Sequence, residues 1–235
     1  MCHICTKRPN TKHNWYQMFR LPIIILSTSQ QITVKTYSLT LDTEWSKWVV
    51  AFCDERVVPE NDEDSTFGTY KRELIPKTKL VEKQFIKIKQ GSLDVSAQAA
   101  KDYTEQLTKA FGSEDFVFDL LLLGMGPDGH TCSLFPGHPL LDETALSVAS
   151  ITDSPKFPPE RITLTFPIIN KARNCMFAVC GSSKAEMIQV SNVFILLKSV
   201  RLYHQRRGRE TTKGQGYIKR APARASRVCR VRRSP

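Results

Sequence analysis

His130 is the side chain best placed to do chemistry. It stands at the mouth of the run Gly124-Met125-Gly126-Pro127-Asp128-Gly129, two residues after Asp128. An imidazole titrating near pH 6.5 is a competent general base at neutral pH, and a neighbouring carboxylate can fix its tautomer. The competing reading is a hydrogen-bonded structural histidine. Gly124, Gly126 and Gly129 also satisfy the spacing G-x-G-x-x-G, on its face a dinucleotide fingerprint. Pro127 inside the loop, the absence of an earlier βαβ unit, and the following His-Thr-Cys-Ser-Leu-Phe-Pro-Gly, which is no clean amphipathic helix, count against a dinucleotide. Two uses of the glycines remain: backbone N–H groups approaching an anion or developing oxyanion, or a tight structural turn. Cys132 and Ser133 lie nearby, but the nucleophile elbow G-x-S-x-G is absent. Cys2-x-x-Cys5 with His3 and His13 offers zinc-ligand types without a second pair at finger spacing.

The elements that must position these residues read as alternating strands and helices. Trp48 to Cys53 is an apolar run ending in Asp54-Glu55-Arg56. Leu93, Ala97, Ala100, Tyr103, Leu107 and Ala110 recur at helical spacing over Leu93 to Phe111. Phe116 to Leu123 is the strongest strand signal, Cys175 to Val179 is another, and Ser183 to Ile188 begins a helix. Strands separated by helices imply a parallel α/β sheet, whose ligands bind at the carboxyl ends of the strands. The polar clusters sit at those ends: Asp54-Glu55-Arg56, Gly124 to His130, and Gly181-Ser182-Ser183-Lys184. Residues 1–47 offer at most two strands, Ile23 to Leu26 and Ile32 to Leu41.

Composition narrows the class. The chain has 235 residues, 41% hydrophobic and 24% charged, an ordinary globular balance rather than a disordered or collagen-like one. Its net charge of +11 is uneven: Lys198 to Pro235 carries 13 basic residues and one acidic residue, while the remainder is close to neutral. Any nucleic-acid binding is therefore expected only through this basic tail, and the bland alternative is a solvated, disordered segment. Seven irregularly spaced cysteines argue against a disulfide framework and for a reducing cytoplasm. The longest apolar runs are too short for a membrane span, so no membrane partner is expected.

The stretch Leu122-Leu123-Gly124-Met125-Gly126-Pro127-Asp128-Gly129-His130-Thr131-Cys132-Ser133-Leu134-Phe135-Pro136-Gly137 resembles the signature of the 6-phosphogluconolactonases. Phe52 to Pro59 with Ser65-Thr66-Phe67-Gly68 resembles that family's preceding motif. Ser154-Pro155-Lys156, then Pro158 to Thr165, then Gly181 to Ala185 resemble its later ones. The resemblance implies an α/β three-layer parallel-sheet core of the 6-phosphogluconolactonase/glucosamine-6-phosphate deaminase type. It implies hydrolysis of 6-phospho-D-glucono-1,5-lactone to 6-phosphogluconate by a monomer, with no metal and no nicotinamide cofactor. By position, His130 with Asp128 becomes the base that activates water. Arg56, Arg161 and Lys184, with Gly124, Gly126 and Gly129, become contacts to the sugar phosphate lactone.

The likeness runs from about Trp48 to Met187, dividing the chain into an atypical segment 1–47, a lactonase-like domain 48–187 and a basic tail 188–235. The family opens with a strand, a glycine-serine phosphate loop and a helix. Here no glycine precedes Gly68, and Leu26-Ser27-Thr28-Ser29 is a superficial echo. A core truncated at both ends is expected, with weakened phosphate binding. The alternatives are a sugar-phosphate deaminase or isomerase of the same fold, and a catalytically impaired variant whose tail binds polyanions.

Overall fold

The computed structural model describes residues 23–26, 44–93, 95–180 and 201–205, with side-chain packing for 44–93 and 95–177. Eight strands and three α-helices follow in chain order among these residues: β1 (Ile23–Leu26), β2 (Val49–Phe52), β3 (Asp54–Arg56), α1 (Thr66–Glu73), α2 (Ser96–Phe111), β4 (Leu120–Leu123), β5 (Val148–Ile151), β6 (Arg161–Leu164), α3 (Phe166–Lys171), β7 (Cys175–Cys180) and β8 (Arg201–Gln205). The main sheet runs β2-β1-β4-β7-β8 with every pairing parallel, and β3-β6-β5 form a smaller antiparallel sheet.

Alternation in the buried strands divides the core. In β2, Ala51 faces one apolar cluster while Val50 and Phe52 face the other. In β4, Leu121 and Leu123 join the first cluster, and Leu120 and Leu122 pack against the second. Ala99, Ala100, Tyr103 and Leu107 of α2 fill the first cluster together with Val148, Ile162 and Leu164 of the small sheet. Phe67 and Tyr70 of α1 fill the second, with Leu74 just beyond it. The three layers are thus α1 with its neighbours, the parallel sheet, and α2 with the antiparallel sheet.

Local chemistry explains the helix limits. Ser65 caps α1, its hydroxyl accepting from the Gly68 amide at 3.0 Å, and Gly112 ends α2 in the left-handed region at φ 71°. The tip of β2 is pinned to α2 by Tyr103, whose hydroxyl accepts from the Phe52 amide at 2.6 Å and donates to the Phe52 carbonyl at 3.1 Å.

The termini differ from the expectation of a core cut at both ends. Ile23–Leu26, in the segment read as atypical, lies inside the sheet between β2 and β4. Arg201–Gln205, in the segment read as a disordered tail, pairs parallel with β7. Strand pairing joins residues far apart in sequence, and periodicity beyond the recognised motifs carries no record of it. The strand expected over Phe116 to Leu123 is confined to its last four residues, because Phe116 and Phe118 pack with Phe111 as an aromatic group rather than in a ladder. Ile32 to Leu41, Ser27-Thr28-Ser29, Ser183 to Ile188 and the sequence after Gln205 lie outside the described residues. Among the described residues no helix is long and apolar enough to cross a membrane.

Candidate active site

The sheet changes direction at β1: the chain passes to β2 on one side and later to β4 on the other. A crevice opens at the carboxyl ends of strands at such a switch point, and the loop leaving β4 there carries Gly124 to His130. Thr131 ties the loop back by donating its hydroxyl hydrogen to the Gly124 carbonyl at 2.8 Å. Cys132 turns the chain at φ 53°, rare for a residue with a β-carbon, and Thr131 and Leu134 bridge across it.

His130 is buried, its ring tilted against Phe135 with centroids 4.7 Å apart, and its Nδ1 lies 2.5 Å from Oδ1 of Asp128. With Nδ1–H donated to that carboxylate, the lone pair of Nε2 is the free base position. Burial pulls the imidazole pKa below its ordinary 6.5, only partly opposed by the Asp128 hydrogen bond and charge, and so favours the neutral ring. Burial raises the pKa of Asp128, but the His130 hydrogen bond and charge, its own backbone amide and the Lys156 charge together outweigh it and leave the carboxyl below its ordinary range.

The glycines serve the loop itself. The Gly126 amide donates to the His130 carbonyl at 2.8 Å, and the Gly129 amide donates to the Gly126 carbonyl at 3.1 Å. Both amides are engaged within the turn. Gly129 takes φ 85°, a left-handed turn that suits glycine. Gly126 is needed for space: a Cβ there would lie 2.0 Å from His130 Cε1 and 2.6 Å from Asp128 Oδ1. The tight-turn reading thus describes these amides, and the turn is what seats the histidine.

Arg56 and Arg161 face each other across the β3–β6 ladder. Arg56 donates from Nη1 to the Asp64 carbonyl at 2.9 Å, while its buried Nε has no partner. Arg161, expected as a substrate contact, turns its guanidinium to backbone instead. Its Nε donates to the Pro158 carbonyl at 2.8 Å and its Nη2 to the Lys156 and Phe157 carbonyls at 2.8 and 3.1 Å. Burial, then the neighbouring Arg56 charge, lowers the Arg161 pKa. Lys184 lies outside the described residues.

Residue-type reasoning missed several supports. Glu55 is buried and accepts from the Arg56 and Thr66 amides through Oε1 and from the Phe67 amide through Oε2, joining β3 to the start of α1. Burial raises its pKa to about 7 despite those bonds. Ser133 donates its hydroxyl hydrogen to Asp54 at 3.1 Å, and its amide donates to Thr163, fastening the histidine loop to β3 and β6. Lys156 reaches Asp128 at 3.4 Å. An acid pair ending an apolar strand was the available signal for Asp54 and Glu55. Lys156 stands in the recognised Ser154-Pro155-Lys156 motif, but its spacing from Asp128 in the sequence gives no sign of this contact.

A family model described as glucosamine-6-phosphate isomerases/6-phosphogluconolactonase matches residues 24–193. The human 6-phosphogluconolactonase is 48% identical over 145 residues, 61% of this chain and 55% of that protein. A probable 6-phosphogluconolactonase of Drosophila melanogaster is 44% identical over 193 residues, 81% of this chain and 74% of that protein. The chain thus spans about half the length of the human relative. The solved 6-phosphogluconolactonase of Leishmania guyanensis superposes with a TM-score of 0.65 at 23% identity, covering 78% of this chain and 83% of its own. That of Thermotoga maritima gives 0.60 at 24% identity, covering 72% and 74%. At these identities the two structures speak for the fold, and the family match covers most of the chain. The chain belongs to the glucosamine-6-phosphate isomerase/6-phosphogluconolactonase family.

Proposed function

We propose that the chain hydrolyses 6-phospho-D-glucono-1,5-lactone to 6-phosphogluconate, with His130 as general base. The observation that carries this reading is the His130–Asp128 pair, 2.5 Å from Nδ1 to Oδ1, on the turn that leaves β4 at the switch point. The names of the human and fruit-fly relatives support the substrate class. A lactone is an activated ester, so attack by water needs a base and a grip on the phosphate rather than a metal.

His130 Nε2 takes a proton from water as its oxygen adds to the lactone carbonyl carbon. The tetrahedral intermediate then collapses, the ring C–O bond breaks, and the proton passes from His130 to the departing oxygen. Asp128 keeps Nδ1–H in place and stabilises the transient imidazolium. Arg56 is the cation offered to the phosphate: its guanidinium stays partly exposed and meets only Asp64, at 2.9 Å to the carbonyl and 3.8 Å to the carboxylate, whereas Arg161 is engaged with three carbonyls. The free thiols of Cys53, Cys132 and Cys175 fit the reducing cytoplasm proposed for this enzyme, a monomer of the oxidative pentose phosphate pathway in this reading. The basic tail is the proposed seat of any polyanion binding.

The test is turnover of the lactone by this chain and by His130→Asn, with melting curves for both. Base catalysis contributes about 10² to 10⁴-fold, so the variant should lose at least about 10²-fold with little change in Tm. Equal turnover in the two proteins removes His130 from the mechanism.

A further inference from the structure

One carboxylate oxygen serves an imidazole and an ammonium group. Oδ1 of Asp128 lies 2.5 Å from His130 Nδ1 and 3.4 Å from Lys156 Nζ. Lys156 belongs to the turn Ser154 to Glu160, in which Phe157 is 83% exposed and Pro158 is buried. Hydrogen bonds also hold it. Arg161, only 3% exposed, donates to the carbonyls of three consecutive residues, Lys156, Phe157 and Pro158. The Ser154 hydroxyl accepts from the Lys156 amide at 3.2 Å and donates to the Lys156 carbonyl at 2.9 Å, so the lysine backbone is gripped from both sides. A buried guanidinium is costly unless its donors are satisfied, and here they fix the geometry of a single exposed turn.

We propose that Lys156, held in register by Arg161, is a positioning residue for the His130–Asp128 pair, drawing on the same Asp128 oxygen and so setting how firmly the carboxylate holds the imidazole. The proposal rests on reading His130 as the base. Lys156 is one of three charged groups that face the ring among the described residues: Asp128 from its own loop, Asp54 from β3, and Lys156 from the turn before β6. The two acids favour the imidazolium and Lys156 opposes it. Lys156 therefore helps keep the base unprotonated where it must accept a proton from water.

The experiment titrates the His130 imidazole by NMR in the full chain, its signals assigned by their loss in His130→Asn. Lys156 and Asp128 are each more than a third exposed, so solvent screens the coupling to the lower part of the Coulomb range. Lys156→Met should raise the His130 midpoint by about 0.5 pH, moving the acid limb of turnover with it and lowering relative rate on that limb about threefold. Lys156→Arg should restore the parent midpoint, because it returns the charge. Arg161→Lys, which cannot span three carbonyls, should shift the midpoint the same way as Lys156→Met. A midpoint unmoved or lowered in Lys156→Met overturns the proposal, as does a moved midpoint with an unmoved acid limb. The NMR reading needs no turnover, so its failure is distinct from failure of the lactonase reading, which the His130→Asn assay decides.

Discussion

Replacing Gly126 by alanine isolates how the glycine turn seats His130, the proposed base. The added Cβ would stand 2.0 Å from His130 Cε1 and 2.1 Å from Nδ1, where ordinary contact begins at 3.4 Å. The ring must move by more than 1 Å, because the obstructed atoms belong to a short, stiff side chain rather than the end of a flexible one. It cannot move that far and keep the 2.5 Å bond to Asp128, and Phe135 closes against its face. A misplacement of about 1 Å costs roughly 10²-fold in rate, and complete loss of the base up to about 10⁴-fold. Overpacking costs about 1 to 3 kcal/mol, offset by about 0.4 to 1 kcal/mol from a stiffer unfolded chain, so the expected net destabilisation is about 1 to 2 kcal/mol. Turnover, denaturant midpoint and the His130 NMR signals would be measured together. Gly137→Ala is the control: its φ of 76° strains alanine by about 1 kcal/mol, but its Cβ would meet nothing within 4 Å, so turnover should hold. A Gly126→Ala protein with parental turnover and unmoved His130 signals refutes this account of the loop.

Three further outcomes are expected. The Glu55 carboxyl, raised from 4.5 to about 7, binds its proton more tightly folded than unfolded, so its contribution to stability is greatest below pH 4.5 and falls as pH rises toward 7. Glu55→Gln should remove a slope worth about 3 kcal/mol across that window, and unfolding curves at pH 5 and 7.5 with the same slope in both proteins would contradict this. Tyr103→Phe strips the Phe52 amide and carbonyl of their shared partner and should cost about 1 to 3 kcal/mol, read as a shift in urea midpoint; an unchanged midpoint would mean the two groups find other partners. Removing the residues after Gln205, which carry +10, spares β8 and should abolish binding to mixed single-stranded oligonucleotides. In the full chain that binding should weaken by about 10³ to 10⁵ between about 50 and 200 mM salt if 6 to 10 phosphates are neutralised, and binding that survives truncation or ignores salt removes the tail from the account.

Where information was local, the sequence was enough. The three- and four-residue spacing of Ala100, Tyr103 and Leu107 marks the buried stripe of α2, and the apolar run Phe116 to Leu123 marks a strand that forms over its last four residues. Glycines around Asp128 and His130 allow a tight turn against the histidine, because close packing of backbone and side chain at Gly126 excludes a Cβ. Whatever depends on partners distant in the chain was settled by tertiary structure alone. Ile23–Leu26 reads as a strand, but only pairing with Val49–Phe52 and Leu120–Leu122 makes it the centre of the sheet. Arg56 and Arg161 are the same residue type on facing positions, yet one retains an unpaired Nε and the other is occupied by the carbonyls of residues 156 to 158. A guanidinium's use is decided by which acceptors the fold brings within about 3 Å, and a hydrogen bond's steep dependence on distance and angle leaves no trace in residue type or spacing.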